Sequence, residues 1–166
     1  MTIAELGSLG ELIASLGVLV TLIYLAIQMR QNTKAVRLNT AHAITEEFQE
    51  IFSLLASSRG LSEVFVEAAQ NEELSGVSRV RYNTYMGTTL RAYENAYLQN
   101  REQAISLDHW AGLTRMMIDI TALPAFPIFW ADRKHWFSDG FQVHMDTNIV
   151  PTPAQAGVNI PGNYSK

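Results

Sequence analysis

From Leu12 to Met29 the chain runs 18 residues without an acidic or basic side chain, and Arg30, Lys34 and Arg37 follow at once. A helix rises ~1.5 Å per residue, so this stretch reaches ~27 Å against a bilayer core ~30 Å thick. Leu6, Leu9 and Gly10 upstream supply the missing turn and leave Glu11 near a headgroup layer. The segment reads as one transmembrane helix. Basic residues gather at its C-terminal end against Glu5 and Glu11 at the other. The positive-inside bias then predicts a short N-terminus outside and everything after Arg30 in the cytoplasm, with Arg30, Lys34 and Arg37 as topology and headgroup contacts. No Lys or Arg precedes the run and no small-x-small site follows it, which fits a cleaved signal peptide poorly. Ser15, Thr21 and Gln28 dilute the run, so the competing expectation is a buried helix of a soluble bundle.

Alternating steps of three and four residues pick out Gly10, Ala14, Gly17, Thr21, Tyr24 and Gln28. Repeated steps of three and four average about 3.5, the period of a left-handed helix pair. Leu12, Leu16, Leu19, Ile23 and Ile27 lie on the opposite side and suit lipid. Between membrane helices, small residues let backbones approach and polar side chains hydrogen-bond across the gap. The row is therefore a candidate packing seam, although Gly, Ser and Thr are common in transmembrane helices for other reasons.

Beyond Arg30 the apolar residues recur with a helical period. Gln31–Ala56 contains no Gly or Pro and carries a stripe through Ala41, Ile44, Phe48, Ile51, Phe52 and Leu55. The spacing predicts one long rod continuing from the membrane helix, or a kink near Asn39–Thr40, ending at Ser57–Gly60 with Gly60 as a C′ residue. Short helical patterns follow over Leu61–Ala69, from Ser75 or Ser78 to Asn100, from Ser106 through Ile120, and within Phe126–Phe141. The second of these has an aromatic face of Val80, Tyr82, Tyr85, Met86, Leu90, Tyr93 and Tyr97, whose hydroxyls need buried partners. Arg91 and Glu94 are positioned to supply them. Sustained period-two alternation is missing, so essentially no sheet is expected. The expected fold class is all-α: residues 1–30 with the transmembrane helix, a cytoplasmic helical bundle over 31–148, and an extended Pro/Gly-rich tail over 149–166.

Composition narrows function mainly by exclusion. Sixteen acidic and 12 basic residues give a formal charge of −4, and no basic stripe lies outside the juxtamembrane patch, so nucleic acid is not an expected partner. The absence of cysteine removes disulfides, thiolate nucleophiles and Cys-ligated metals. The four histidines, His42, His109, His135 and His144, lack the Glu-x-x-His pairing of a carboxylate-bridged metal bundle. There is no G-x-S-x-G elbow and no glycine-rich phosphate loop. Neither a catalytic residue, a metal nor a cofactor is expected. Two clusters stay open. Tyr93, Arg91 and Glu94 form either a polar pocket or a structural pair. Phe126, Phe129, Trp130, Trp136 and Phe137, with Arg133 and Lys134 between them, form either an interfacial or partner contact or the closure of a small core.

The segments LIYLAIQMRQNT over Leu22–Thr33, RAYENAYLQ over Arg91–Gln99 and WADRKHWFSDGF over Trp130–Phe141 resemble an uncharacterised family of small bacterial membrane-anchored proteins. The resemblance covers roughly Leu12 to Met145. It implies one N-terminal membrane helix in the bacterial inner membrane and a helical cytoplasmic domain, and no activity or site residue. The leading functional expectation is a non-enzymatic accessory or scaffold subunit, with membrane lipid and a protein as its partners. That protein is either another copy or a larger membrane complex of photosynthetic or respiratory type. The alternative is a membrane-tethered small-ligand sensor or an enzyme of unknown type using the Tyr/Arg/Glu region.

Overall fold

The structure, a computed structural model, describes residues 3–150, without the side chains of Ala4, Glu5, Leu6, Ser8, Leu9 and Leu12. The described residues form an all-α fold with no strand. Helix α1 spans Ile3–Ser57, α2 Arg59–Ala68, α3 Gly76–Arg101, α4 Leu107–Thr121, α5 Phe126–Arg133 and α6 Asp139–His144. A 3₁₀ turn at Lys134–Trp136 joins α5 to α6, and a π-turn at Met145–Ile149 follows α6. The chain divides into two units, one ending at Asn39 and the other beginning at Thr40.

The first unit is helix alone, with every described side chain from Gly10 to Asn39 exposed. The division falls at Asn39 rather than at the expected residue 30; Gln31–Asn39 is exposed, and burial in α1 begins at Ile44.

In the second unit the face of α3 carrying Tyr82, Met86, Leu90 and Tyr93 is buried and forms the centre. Ile44, Phe48 and Ile51 of α1, Val64 and Ala68 of α2, Met117 of α4 and Phe126 and Phe129 of α5 complete the core around it. Aromatic rings make many of the joints. Tyr82 meets Phe65 of α2 at 5.6 Å and Phe129 of α5 at 6.2 Å, the latter edge-on. Phe141 of α6 meets Tyr93 at 5.8 Å. Val80, expected on this face, is instead 65% exposed: it lies to one side of the strip that α2 and α5 cover.

Helix ends follow local chemistry. Ser106 caps α4 by accepting from the amide of His109 at 3.2 Å, and Asp108 sits in that first turn, where the helix dipole favours an anion. Pro127 occupies the opening turn of α5, where its missing N–H costs nothing. Gly76 opens α3 at φ +53°, a left-handed conformation that L side chains resist.

Two boundaries differ from expectation. Gly60 is not a C′ residue: the chain leaves α1 through a single extended residue, Ser58, and Gly60 already belongs to α2. Ile149, assigned to the tail by composition, is 2% exposed and belongs to the core, because the π-turn swings it inward. Residues 151–166 lie outside the described residues.

Burying a large apolar side chain contributes about 1.5–3 kcal/mol, and removing one leaves a cavity as well. Phe126→Ala should therefore cost about 3–5 kcal/mol of unfolding free energy. Val80→Ala on the exposed flank should stay within about 0.5 kcal/mol. Denaturant unfolding of the full chain, followed by circular dichroism, measures both.

Candidate functional site

The apolar stretch of α1 is uncovered. Its large side chains from Ile13 to Met29 are between 49% and 70% exposed. Among the described residues α1 is the one helix long and apolar enough to cross a membrane, and its most apolar window is 0% buried.

Polar groups on the stretch are satisfied within the helix. Ser15 donates to the Glu11 carbonyl at 2.6 Å, Thr21 to that of Gly17 at 2.8 Å and Thr33 to that of Met29 at 2.9 Å. The Gln28 side-chain amide donates to the Tyr24 hydroxyl at 3.0 Å. Such bonds to a carbonyl one turn back let Ser and Thr occupy an apolar setting without an orphaned hydroxyl. At 100° per residue, Gly10, Ala14, Gly17, Thr21, Tyr24 and Gln28 share a strip about 80° wide. A Cβ built on Gly10 or Gly17 would meet nothing within 4 Å. The seam is an open groove along one side of the helix, and its polar members already bond locally. Arg30, Lys34 and Arg37 are exposed on the turns that follow.

In the second unit, Arg91 and Glu94 lie on the same side of α3 and pair directly. Glu94 is 5% exposed. One carboxylate oxygen takes the Arg91 guanidinium, and the other accepts the backbone N–H of Ser138 at 2.7 Å. Arg91 also donates to the Trp136 carbonyl at 2.8 Å and lies 4.8 Å over the Phe137 ring. The pair is a clamp that holds the 136–138 segment onto α3, and its hydrogen-bonding capacity goes to backbone. It does not serve the tyrosines, as expected from sequence, because the intervening turn reaches it first.

Tyr93 lies in an aromatic box. Its ring stacks on Trp110 at 5.3 Å and 1°. Its hydroxyl stands 3.3 Å from the Thr114 hydroxyl and 3.2 Å from His144 Nε2. Asn148 Nδ2 approaches His144 Nδ1 at 3.3 Å, which suits a neutral ring with the proton on Nε2 pointing at Tyr93. Burial, eased by the Thr114 bond, pushes the Tyr93 hydroxyl up to about 12, and burial lowers His144 from 6.5. Tyr97 stacks on His144 at 4.9 Å and donates to the Gly140 carbonyl at 3.2 Å.

The aromatic cluster over 126–137 resolves into core and rim. Phe126, Phe129, Trp130 and Phe137 are buried. Trp130 donates its indole N–H to Asp146 at 2.6 Å, and Lys134 lies 3.7 Å from the same carboxylate. Trp136 alone stays half exposed; Arg133 covers its ring at 5.1 Å and its edge packs on Gly87. Four of these five residues therefore close the core and leave Trp136 as the surface residue of the group.

His144, Thr114, Ser138 and Asp146 carry the polar network and were not singled out from sequence. Their bonds to Tyr93, Glu94 and Trp130 reach across 16–51 residues, which no local spacing marks. Among the described residues no three of His, Asp and Glu converge as around a metal ion.

Two outcomes follow. Glu94→Ala leaves the Ser138 amide without its acceptor, which should cost roughly 1–3 kcal/mol; hydrogen exchange should show lost protection at Ser138. Because His144 is held below 6.5, the unfolded chain binds more protons than the folded one as the medium acidifies. The contribution of His144 is complete above that value and falls as pH drops through it. Melting temperature should decline on acidification below pH 6.5, and His144→Gln should flatten that decline.

No protein-family model, no curated protein and no solved structure matches this chain, which leaves its own chemistry as the guide to function.

Proposed function

We propose that this protein is a single-pass membrane protein acting as a non-enzymatic accessory or scaffold subunit. The observation that carries the reading is the exposed, uncharged stretch of α1 over Ile13–Met29, which nothing in the described chain covers. Left in water, these 11 large side chains, 49–70% exposed, would cost free energy at about 25 cal/mol per Å², and lipid removes that cost. The basic residues Arg30, Lys34 and Arg37 orient the helix with the N-terminus outside and the second unit in the cytoplasm, at the bacterial inner membrane that the family resemblance implies.

The seam of Gly10, Ala14 and Gly17 is the route to a protein partner. Lipid tails are as apolar as leucine, so close backbone approach at small residues drives helix association more than apolar bulk does. The partner is another copy or a larger membrane complex, of the photosynthetic or respiratory kind. The chemistry of Arg91, Glu94 and Tyr93 supports a structural task in this reading, since their polar atoms bond to the fold itself.

Gentle solubilisation followed by mass photometry tests the proposal. The wild-type chain should resist alkaline carbonate extraction and run well above its 18.5 kDa. Replacing Gly10, Ala14 and Gly17 together with Leu should shift the assembly toward monomer by tenfold or more in apparent dissociation constant. Release of the wild type by carbonate would sink the membrane assignment, and an unshifted triple variant would sink the seam.

A further inference from the structure

The second unit carries an apolar groove of about 430 Å³ where the last turns of α1 meet α2 and α3. That volume is in the range of small-molecule sites, roughly 300–1,000 Å³. Its walls are Ile51 and Leu54 of α1, Leu61 of α2, and Val80 and Tyr85 of α3, with Arg81 as the one charged residue on the lining. Leu54 and Val80 are 61% and 65% exposed, so the groove is open. All of these residues belong to the second unit, so the groove stands whether or not α1 spans a membrane.

The groove's polar chemistry selects an occupant. Ser57 on its rim donates to the Ser53 carbonyl at 2.7 Å and Thr88 to that of Thr84 at 3.1 Å, so both hydroxyl protons are committed to their own helices. Among the described residues no carboxylate lies within ion-pair distance of Arg81; Glu63, on neighbouring α2, is taken by Arg59 at 2.9 Å. The Arg81 guanidinium rests against Gly60, where a Cβ would stand 2.5 Å from Nη1. It therefore sits by the first turn of α2, which has no acidic residue and no side-chain cap. A cation and the positive end of a helix converge there without a counter-charge. One turn on, Tyr85 lines the same groove; it is 6% exposed and its hydroxyl has no hydrogen-bond partner.

We infer that this groove binds a free fatty-acid-class amphiphile, whose unbranched apolar body lies along Leu54, Leu61 and Val80 and whose carboxylate pairs with Arg81. A single cation on a lining that otherwise carries apolar side chains and a few hydroxyls, those of Ser57, Ser58, Thr84 and Thr88 among them, matches one anionic head on an apolar chain. A peptide would bring a row of backbone N–H and C=O groups that these walls have few partners for.

A photoreactive dodecanoate analogue tests this on the full chain in phosphatidylcholine nanodiscs. After irradiation, peptides carrying Leu54, Leu61 and Val80 should be labelled, and dodecanoate should displace the label whereas dodecanol should not. Arg81→Ala, on an exposed side chain, should weaken competition roughly tenfold, as expected for a lost charge-assisted bond. Gly60→Ala keeps the charge but pushes the guanidinium aside and should weaken it several-fold. Label found only on the Ile13–Met29 stretch, equal displacement by dodecanol, or no effect of Arg81→Ala would overturn the inference. Cross-linking of this groove to a second copy of the chain would overturn it too.

Discussion

The second unit depends on one buried helix face. Tyr82, Met86, Leu90 and Tyr93 of α3 are almost wholly removed from water, and helices α1, α2, α4, α5 and α6 all contribute residues to the core around them. Tyrosine on such a face sets a demand that leucine would not, because each hydroxyl must find a partner or remain unpaired at a cost. The structure meets this unevenly. Tyr93 bonds to Thr114 and His144, whereas the hydroxyls of Tyr82 and Tyr85 have none. Burial alone pushes Tyr82 far above its ordinary value, and burial, eased by Thr89, pushes Tyr85 up to about 12.

Around this face, irregular backbone is held by a few charged groups. Glu94 is the clearest case, since its two oxygens secure both a guanidinium and the amide of Ser138. Asp146 ties the same segment by side chains, taking the Trp130 indole N–H and the Lys134 ammonium. These contacts pin a segment in which α5, a 3₁₀ turn, α6 and a π-turn follow in quick succession. The first unit obeys the opposite rule. There the backbone satisfies itself as helix, the hydroxyls of Ser15, Thr21 and Thr33 fold back onto it, and the apolar surface faces outward.

Much of this was legible as pattern. The all-α class follows from 3.6-residue periodicity over long stretches, and the start of α4 follows from Ser106 and Asp108; α3 starts after Ser75, one of the two serines the pattern offered, without a side-chain cap. The core role of Phe126, Phe129, Trp130 and Phe137 was one of two readings that aromatic density allowed; packing decided between them. Gly60 shows the limit of local rules. A glycine after a polar break suggests a left-handed terminus, yet here its missing Cβ makes room for Arg81, 21 positions later in the chain. Val80 and Ile149 show the same limit, for whether a flanking apolar residue is covered depends on where another element ends.

By itself the sequence determined the properties that sum along a chain: helical periodicity, an uncharged apolar run of membrane length, the placement of basic residues beside it and the absence of any thiol. Only the tertiary structure decided which polar groups face one another. Arg91 and Glu94 could have served a pocket, and they hold a turn 44–45 residues away instead. His144 carried no local mark, yet it stands against Tyr93 across 51 residues. The physical reason is reach. Periodicity and hydropathy act over neighbouring turns of one helix, whereas a hydrogen bond needs two groups within about 3 Å of each other, and chain folding alone brings distant residues that close.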